Sequence, residues 1–139
     1  MNNKCRRKLF ETKILFARAK RMIKNPYKDT KALDDLDTIA MLKDNWNDNG
    51  AKAFSIDLIQ KCIYIANSLD KEPSIAPTGC GSIQFEYAHL PSHIYFEFEV
   101  FESHIKWYAI GRDKIEYEGD IIATDQAEVI IELANLFLN

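Results

Sequence analysis

Residues 82–118 read SIQFEYAHLPSHIYFEFEVFESHIKWYAIGRDKIEYE, and this stretch decides the fold. Ile83, Phe85 and Tyr87 alternate with Gln84, Glu86 and Ala88, the two-residue period of a strand buried on one face. His89-Leu90-Pro91-Ser92 supplies a turn, and Ile94, Phe96, Phe98 and Val100 then alternate with Tyr95, Glu97, Glu99 and Phe101. Beyond Glu102-Ser103, Ile105, Trp107 and Ala109 alternate with His104, Lys106, Tyr108 and Ile110. Gly111-Arg112-Asp113 turns the chain once more, and Ile115 and Tyr117 continue one face. Four strands joined by short turns predict an antiparallel meander at about residues 82–118 with one apolar and one polar face.

The apolar face needs a cover, and the flanking sequence supplies helices. Downstream, Thr124 is placed to cap a helix whose buried stripe is Ala127, Ile130, Ile131, Ala134, Phe137 and Leu138. Upstream, Ser55 caps a helix in which Ile56, Ile59, Cys62, Ile63 and Ala66 recur at three- and four-residue steps. Before it, residues 30–46 form a further helix candidate, capped by Asp29 or Thr30 and carrying Asp34, Asp35 and Asp37 near its start, where the macrodipole favours carboxylates. Pro73 and Pro77 mark an extended connector, and Thr78-Gly79-Cys80-Gly81 a turn. Residues 4–24 contain neither Gly nor Pro and read as a helix stopped at Asn25-Pro26. Helices followed by a run of strands predict an α+β fold, with helices over one side of the sheet, N-terminal helices and a C-terminal helix. A length of 139 residues suits a single domain over 1–139.

Composition narrows the function classes. Hydrophobic residues make up 47% and charged residues 28%, which argues against disorder. No apolar run approaches the ~18 residues of a membrane span, and the charged N-terminus does not read as a secretory signal. Cys5, Cys62 and Cys80 are an odd number at scattered spacings, which suits free thiols in a reducing compartment and predicts a cytoplasmic protein. The net charge of −3 hides a polarity: residues 1–28 carry ten basic side chains against one acid, or +9, and the remainder carries −12. Such a basic segment either packs on the acidic body of its own chain or forms an arm for another molecule. Along residues 4–24, Phe10 and Ile14 fall on one face and Leu9 and Phe16 roughly opposite, so the helix has two apolar sides rather than the single one a membrane-surface helix needs.

Chemistry is sparse. His89, His93 and His104 lack the paired spacing of a zinc site, and the sequence predicts neither metal nor cofactor. Gly79-Cys80-Gly81 leads into a strand, the reverse of a phosphate cradle. The polar sheet face brings Gln84, Glu86, Tyr95, Glu97, Glu99, His104, Lys106 and Tyr108 together; paired carboxylates can serve glycoside hydrolysis, while the same residues also describe a solvated face or a binding surface. The aromatics favour binding.

A resemblance adds to this reading. Trp46, Asp48-Asn49-Gly50-Ala51, the Ser55-capped helix, Pro77 and Gly79-x-Gly81-Ser-Ile-Gln-Phe-Glu-Tyr87 resemble a widespread set of small uncharacterised bacterial proteins, over about residues 42–110. Those proteins share a Trp-Asp-Gly-type turn, a helix, a proline connector and a Gly-rich strand ending in Glu-aromatic. The resemblance implies a bacterial or mobile-element origin and no particular chemistry. In physical terms Trp46 is expected to plug the core, Gly50 to take a left-handed turn and Glu86 to lie on the sheet's outer face.

The leading expectation is a non-enzymatic interaction protein, antitoxin-, immunity- or inhibitor-like, that binds a protein partner or a second copy of itself. Its candidate binding residues are Arg6, Arg7, Phe10, Ile14, Phe16, Arg18 and Arg21 on the basic helix, and Glu86, Tyr95, Glu97, Lys106 and Tyr108 on the sheet. The alternatives are a nucleic-acid-associated regulator acting through the basic helix, and a small enzyme using the sheet carboxylates.

Overall fold

A computed structural model describes residues 30–139; the helix expected over 4–24, with Arg6, Arg7, Phe10, Ile14, Phe16, Arg18 and Arg21, lies outside the described residues. The architecture is α+β: helices α1 (Lys31–Ala40) and α2 (Ile56–Ser68) precede strands β1 (Ser74–Pro77), β2 (Ile83–Tyr87), β3 (Tyr95–Val100), β4 (Ile105–Ile110) and β5 (Glu116–Ile121), and helix α3 (Gln126–Leu138) follows. The strands form one antiparallel sheet in the order β1-β2-β3-β4-β5, so the meander has five strands rather than four.

The additional strand is β1, where the prolines suggested a connector. Pro77 closes β1, which pairs Ile75 with Phe85 at the sheet's edge. An edge strand is where a sheet tolerates a residue with no N–H to donate. The alternation of the next three strands holds: Ile83, Phe85, Tyr87, Phe96, Phe98, Val100, Ile105 and Ala109 are buried. Phe85 stacks on Phe98 with ring centroids 4.6 Å apart, and Phe96 meets Phe137 of α3 at 5.2 Å. At β5 the alternation fails, since Ile115 is 53% and Tyr117 42% exposed and only Ile121 of this strand is buried. An edge strand that the last helix covers only in part has little apolar partner surface, so its sequence need not alternate.

All three helices cover the same face. Thr30 caps α1 by accepting from the Leu33 N–H, and Ser55 caps α2 by accepting from Leu58. α1 contacts β1, α2 lies against both α1 and α3, and α3 reaches β4 and β5. In α2 the buried set is Leu58, Ile59, Lys61, Cys62, Ile63 and Ile65; Ile56 of the expected stripe is exposed. α3 buries Ala127, Ile130, Ala134 and Leu138, with Ile131 and Phe137 partly buried; its N-cap is Asp125 rather than Thr124.

Helix α1 stops at Ala40, short of the 46 expected, because the residues that follow hydrogen-bond their own loop. Asp44 accepts from the Ala53 N–H, Asn45 from Gly50, and Asn47 from both Asn49 and Ala51. Such short polar side chains offer the backbone an alternative to helix. Gly50 takes the left-handed conformation expected, with φ of 82°. Trp46 does not plug the core. It is half-buried, its indole N–H donates to the Lys52 carbonyl at 3.2 Å, and its ring lies 6.0 Å from Phe54, so it braces the loop instead.

Lys61 is the one cation buried among the described residues, at 6% exposure. Its ammonium donates to the Phe101 carbonyl at 2.8 Å and to the Gln126 side-chain oxygen, both uncharged. Burial lowers its pKa from 10.5 to about 8, against the smaller opposing pull of Cys62 and Glu102.

Candidate functional site

The described helices lie on one side of the sheet, and the register orders the side chains of the opposite face. In an antiparallel sheet, residues directly opposite one another share a face. The register therefore builds one row from Ser74, Glu86, Glu97, Tyr108 and Glu118, and a second from Ala76, Gln84, Glu99, Lys106 and Asp120. Tyr95, Ile110 and Glu116 form a third, shorter row. Six carboxylates (Glu86, Glu97, Glu99, Glu116, Glu118 and Asp120) thus share this face with one strand-borne cation, Lys106.

Glu86 and Glu97 are direct cross-strand partners. Like charges placed directly opposite one another destabilise a sheet. Tyr95 relieves the repulsion: its hydroxyl reaches Glu86 Oε2 at 2.9 Å and Glu97 Oε2 at 2.7 Å. Gln84 Nε2 adds a donor to Glu97 Oε2 at 2.6 Å, and Ser82 donates to Glu99 at 2.9 Å. The Tyr95 phenol is pushed above the ordinary tyrosine range, first by desolvation and then by its bonds to Glu97 and Glu86. Its proton is therefore held between the two carboxylates throughout the neutral range. Tyr108 is raised as well, by desolvation and by its hydrogen bond to Glu116. Its ring meets Tyr95 edge-on at 6.0 Å.

Of the sheet residues expected to bind, Glu86, Tyr95, Glu97 and Tyr108 come together in this cluster, and Lys106 lies one row away between Glu99 and Asp120. Lys106 is exposed; the others are half-buried. Glu116, Glu118 and Asp120 were missed, although the run Glu116-Tyr117-Glu118-Gly119-Asp120 carries acids at every second position. His104 stands apart from the cluster. It stacks on Phe101 at 4.4 Å in the β3–β4 turn, whereas His89 and His93 are exposed in the β2–β3 connection at the other end of the sheet. Among the described residues no group of three or more His, Cys, Asp or Glu is arranged to hold a metal ion.

Clefts among the described residues lie elsewhere. One of about 460 Å³ is lined by Trp107, Tyr117, Leu133 and Phe137 among others, on the helical side of β5. Another, of about 320 Å³, lies at the start of α2 beside Phe54, Leu58 and Phe101. Neither includes Glu86, Tyr95 or Glu97. No helix among the described residues is long and apolar enough to cross a membrane. Compared with known proteins, the chain matches no family, no curated sequence and no solved structure.

Proposed function

We propose that the chain is a non-enzymatic interaction protein, of the antitoxin, immunity or inhibitor kind, that holds a cationic protein partner against the sheet face opposite the described helices. The observation that carries this reading is the tyrosine-bridged pair Glu86 and Glu97 within a face of six carboxylates and one lysine. A face serving only solubility has no need of directly opposed acids, which cost stability. A basic partner removes that cost and draws on long-range attraction during encounter. Tyr95 and Tyr108 add aromatic surface of the kind interfaces favour. Hydrolysis by the same carboxylates is the weaker reading, because neither cleft described above includes Glu86 or Glu97 and active sites enclose their substrates. The +9 charge of residues 1–28 favours a second activity, retention of nucleic acid by that segment.

The test is capture from the native cells by the full chain, set beside a double variant, Glu97→Lys with Glu99→Lys, and a control, Asp37→Lys with Glu132→Lys, on the exposed helical side. The expected result is a basic protein retained by wild type and control and lost by the sheet variant, with the variant's fold verified by circular dichroism. Equal capture by all three chains refutes the reading. Nucleic acid as the sole material retained, released in steps with rising salt, supports the second activity instead.

A further inference from the structure

We propose that the outer edge of β5 receives an extended segment of a partner protein as a sixth strand, one that alternates cationic and apolar side chains. This goes beyond the sheet-face reading, because the contacts lie at the rim and use backbone groups and the helical side of the sheet.

The two edges of the sheet are built differently. β1 is four residues long and ends in Pro77, whereas β5 has six residues and no proline. No strand among the described residues pairs with the outer side of β5. The direction of its free groups follows from the ladder. Gly111 N–H donates to the carbonyl of Ile115, the residue directly opposite in the ladder's register, at 3.1 Å, which sets that pair at an inward-bonded position, while the Gly111 carbonyl accepts from the Lys114 N–H of the turn. Bonded and non-bonded pairs alternate in antiparallel sheets. Tyr117 and Gly119 therefore bond inward to Ala109 and Trp107, while the N–H and C=O of Glu116, Glu118 and Asp120 point outward.

The side chains along this edge define what fits. Glu116, Glu118 and Asp120 lie on the acidic face, so residues paired with them are met by carboxylates and should be Lys or Arg. Intervening residues fall on the helical side, where Trp107, Tyr117, Leu133 and Phe137 line the cleft of about 460 Å³. Gly119 opens that side: a Cβ there would stand 2.6 Å from the Trp107 indole nitrogen, so the indole occupies the space over β5 and lies toward the edge. The same acids oppose self-pairing, since two antiparallel copies of β5 would set carboxylate against carboxylate. Backbone bonding supplies affinity and the alternate side chains supply selectivity, as in strand addition generally.

The test uses the full chain and a synthetic peptide of about seven residues alternating lysine and leucine, with a glutamate-leucine peptide as control. Amide exchange at Glu116, Glu118 and Asp120 is expected to be fast in the free chain and slowed roughly tenfold or more by saturating lysine-leucine peptide, and not by the control. Glu118→Pro removes one outward N–H without touching the β4 ladder, and should weaken binding by roughly tenfold or more while leaving the melting curve nearly intact. Leu133→Glu, which alters the cleft and not the edge, should weaken it as well. Equal binding to wild type and Glu118→Pro overturns the proposal. So does protection of β5 in the dilute free chain, which means its own residues 1–28 already lie there, or protection that appears only as a dimer forms. The sheet-face reading fails or stands separately, on Glu97 and Glu99.

Discussion

Replacing Lys61 by Met should remove a gain in stability that the wild-type lysine contributes between about pH 8 and 9.5. The lysine is buried at 6% exposure with only neutral acceptors, the Phe101 carbonyl and the Gln126 amide, and its pKa falls from 10.5 to about 8. Below about pH 8 the amine is protonated in both folded and unfolded chains, and the penalty for burying the charge is fully present. Between about 8 and 10.5 the unfolded chain holds the proton that the native chain has lost, so stability rises with pH. The slope is about 1.4 kcal/mol per pH unit, or about 2 kcal/mol at most from pH 8 to 9.5. Other groups act in the opposite direction as alkalinity increases. Burial pushes the Cys62 thiol and the Tyr87 phenol up, so the native chain keeps protons that the unfolded one releases. Both residues are present in wild type and variant; the Tyr87 contribution cancels in the comparison, and that of Cys62 cancels in large part, because burial outweighs the Lys61 charge in holding the thiol protonated. Guanidinium unfolding followed by tryptophan fluorescence, at pH 7 to 9.5, measures the difference. Wild type should gain about 2 kcal/mol on Lys61→Met over that range, whatever the offset at pH 7. A constant offset across the range would refute the reasoning and mean that the amine remains charged in the fold.

Three further substitutions check the packing. Trp46→Ala should cost about 1–2 kcal/mol, the loss of a half-buried ring and one hydrogen bond, against about 3–5 kcal/mol for the fully buried Phe85→Ala, both read by chemical denaturation. Tyr95→Phe should cost about 1 kcal/mol, the loss of the hydroxyl's bonds to Glu86 and Glu97, read by chemical denaturation at pH 7. Gly119→Ala should destabilise by about 1–3 kcal/mol, because its Cβ meets Trp107 at 2.6 Å, and a changed tryptophan emission should accompany the loss.

What the sequence disclosed follows the distribution of burial. β2, β3 and β4 were legible because each has one face pressed on the core, so Phe85, Phe96, Phe98 and Ile105 had to alternate with polar neighbours. β1 was obscured by its prolines, which are compatible with a strand only at an edge, and edge position is a property of the assembled sheet. β5 was half-legible for the same reason: with Tyr117 exposed, the apolar signal fades while the acidic alternation continues. The end of α1 was misjudged because Asp44, Asn45 and Asn47 trade helical bonds for loop bonds. The burial of Lys61 could not be read locally, since its acceptors lie 40 and 65 residues away. The polar face itself was visible, but the tyrosine bridge between two directly opposed acids depends on the β2–β3 register.

Photo-crosslinking in the native cells tests the central claim most directly. A benzophenone amino acid is placed at Lys106, exposed on the acidic face, and in separate chains at Met41 and Leu136, exposed elsewhere. The account predicts one dominant adduct with a basic protein from position 106, diminished by raised salt and by Glu97→Lys, and no such adduct from 41 or 136. An equal adduct pattern from all three positions, or none from position 106 while the others react, would contradict it.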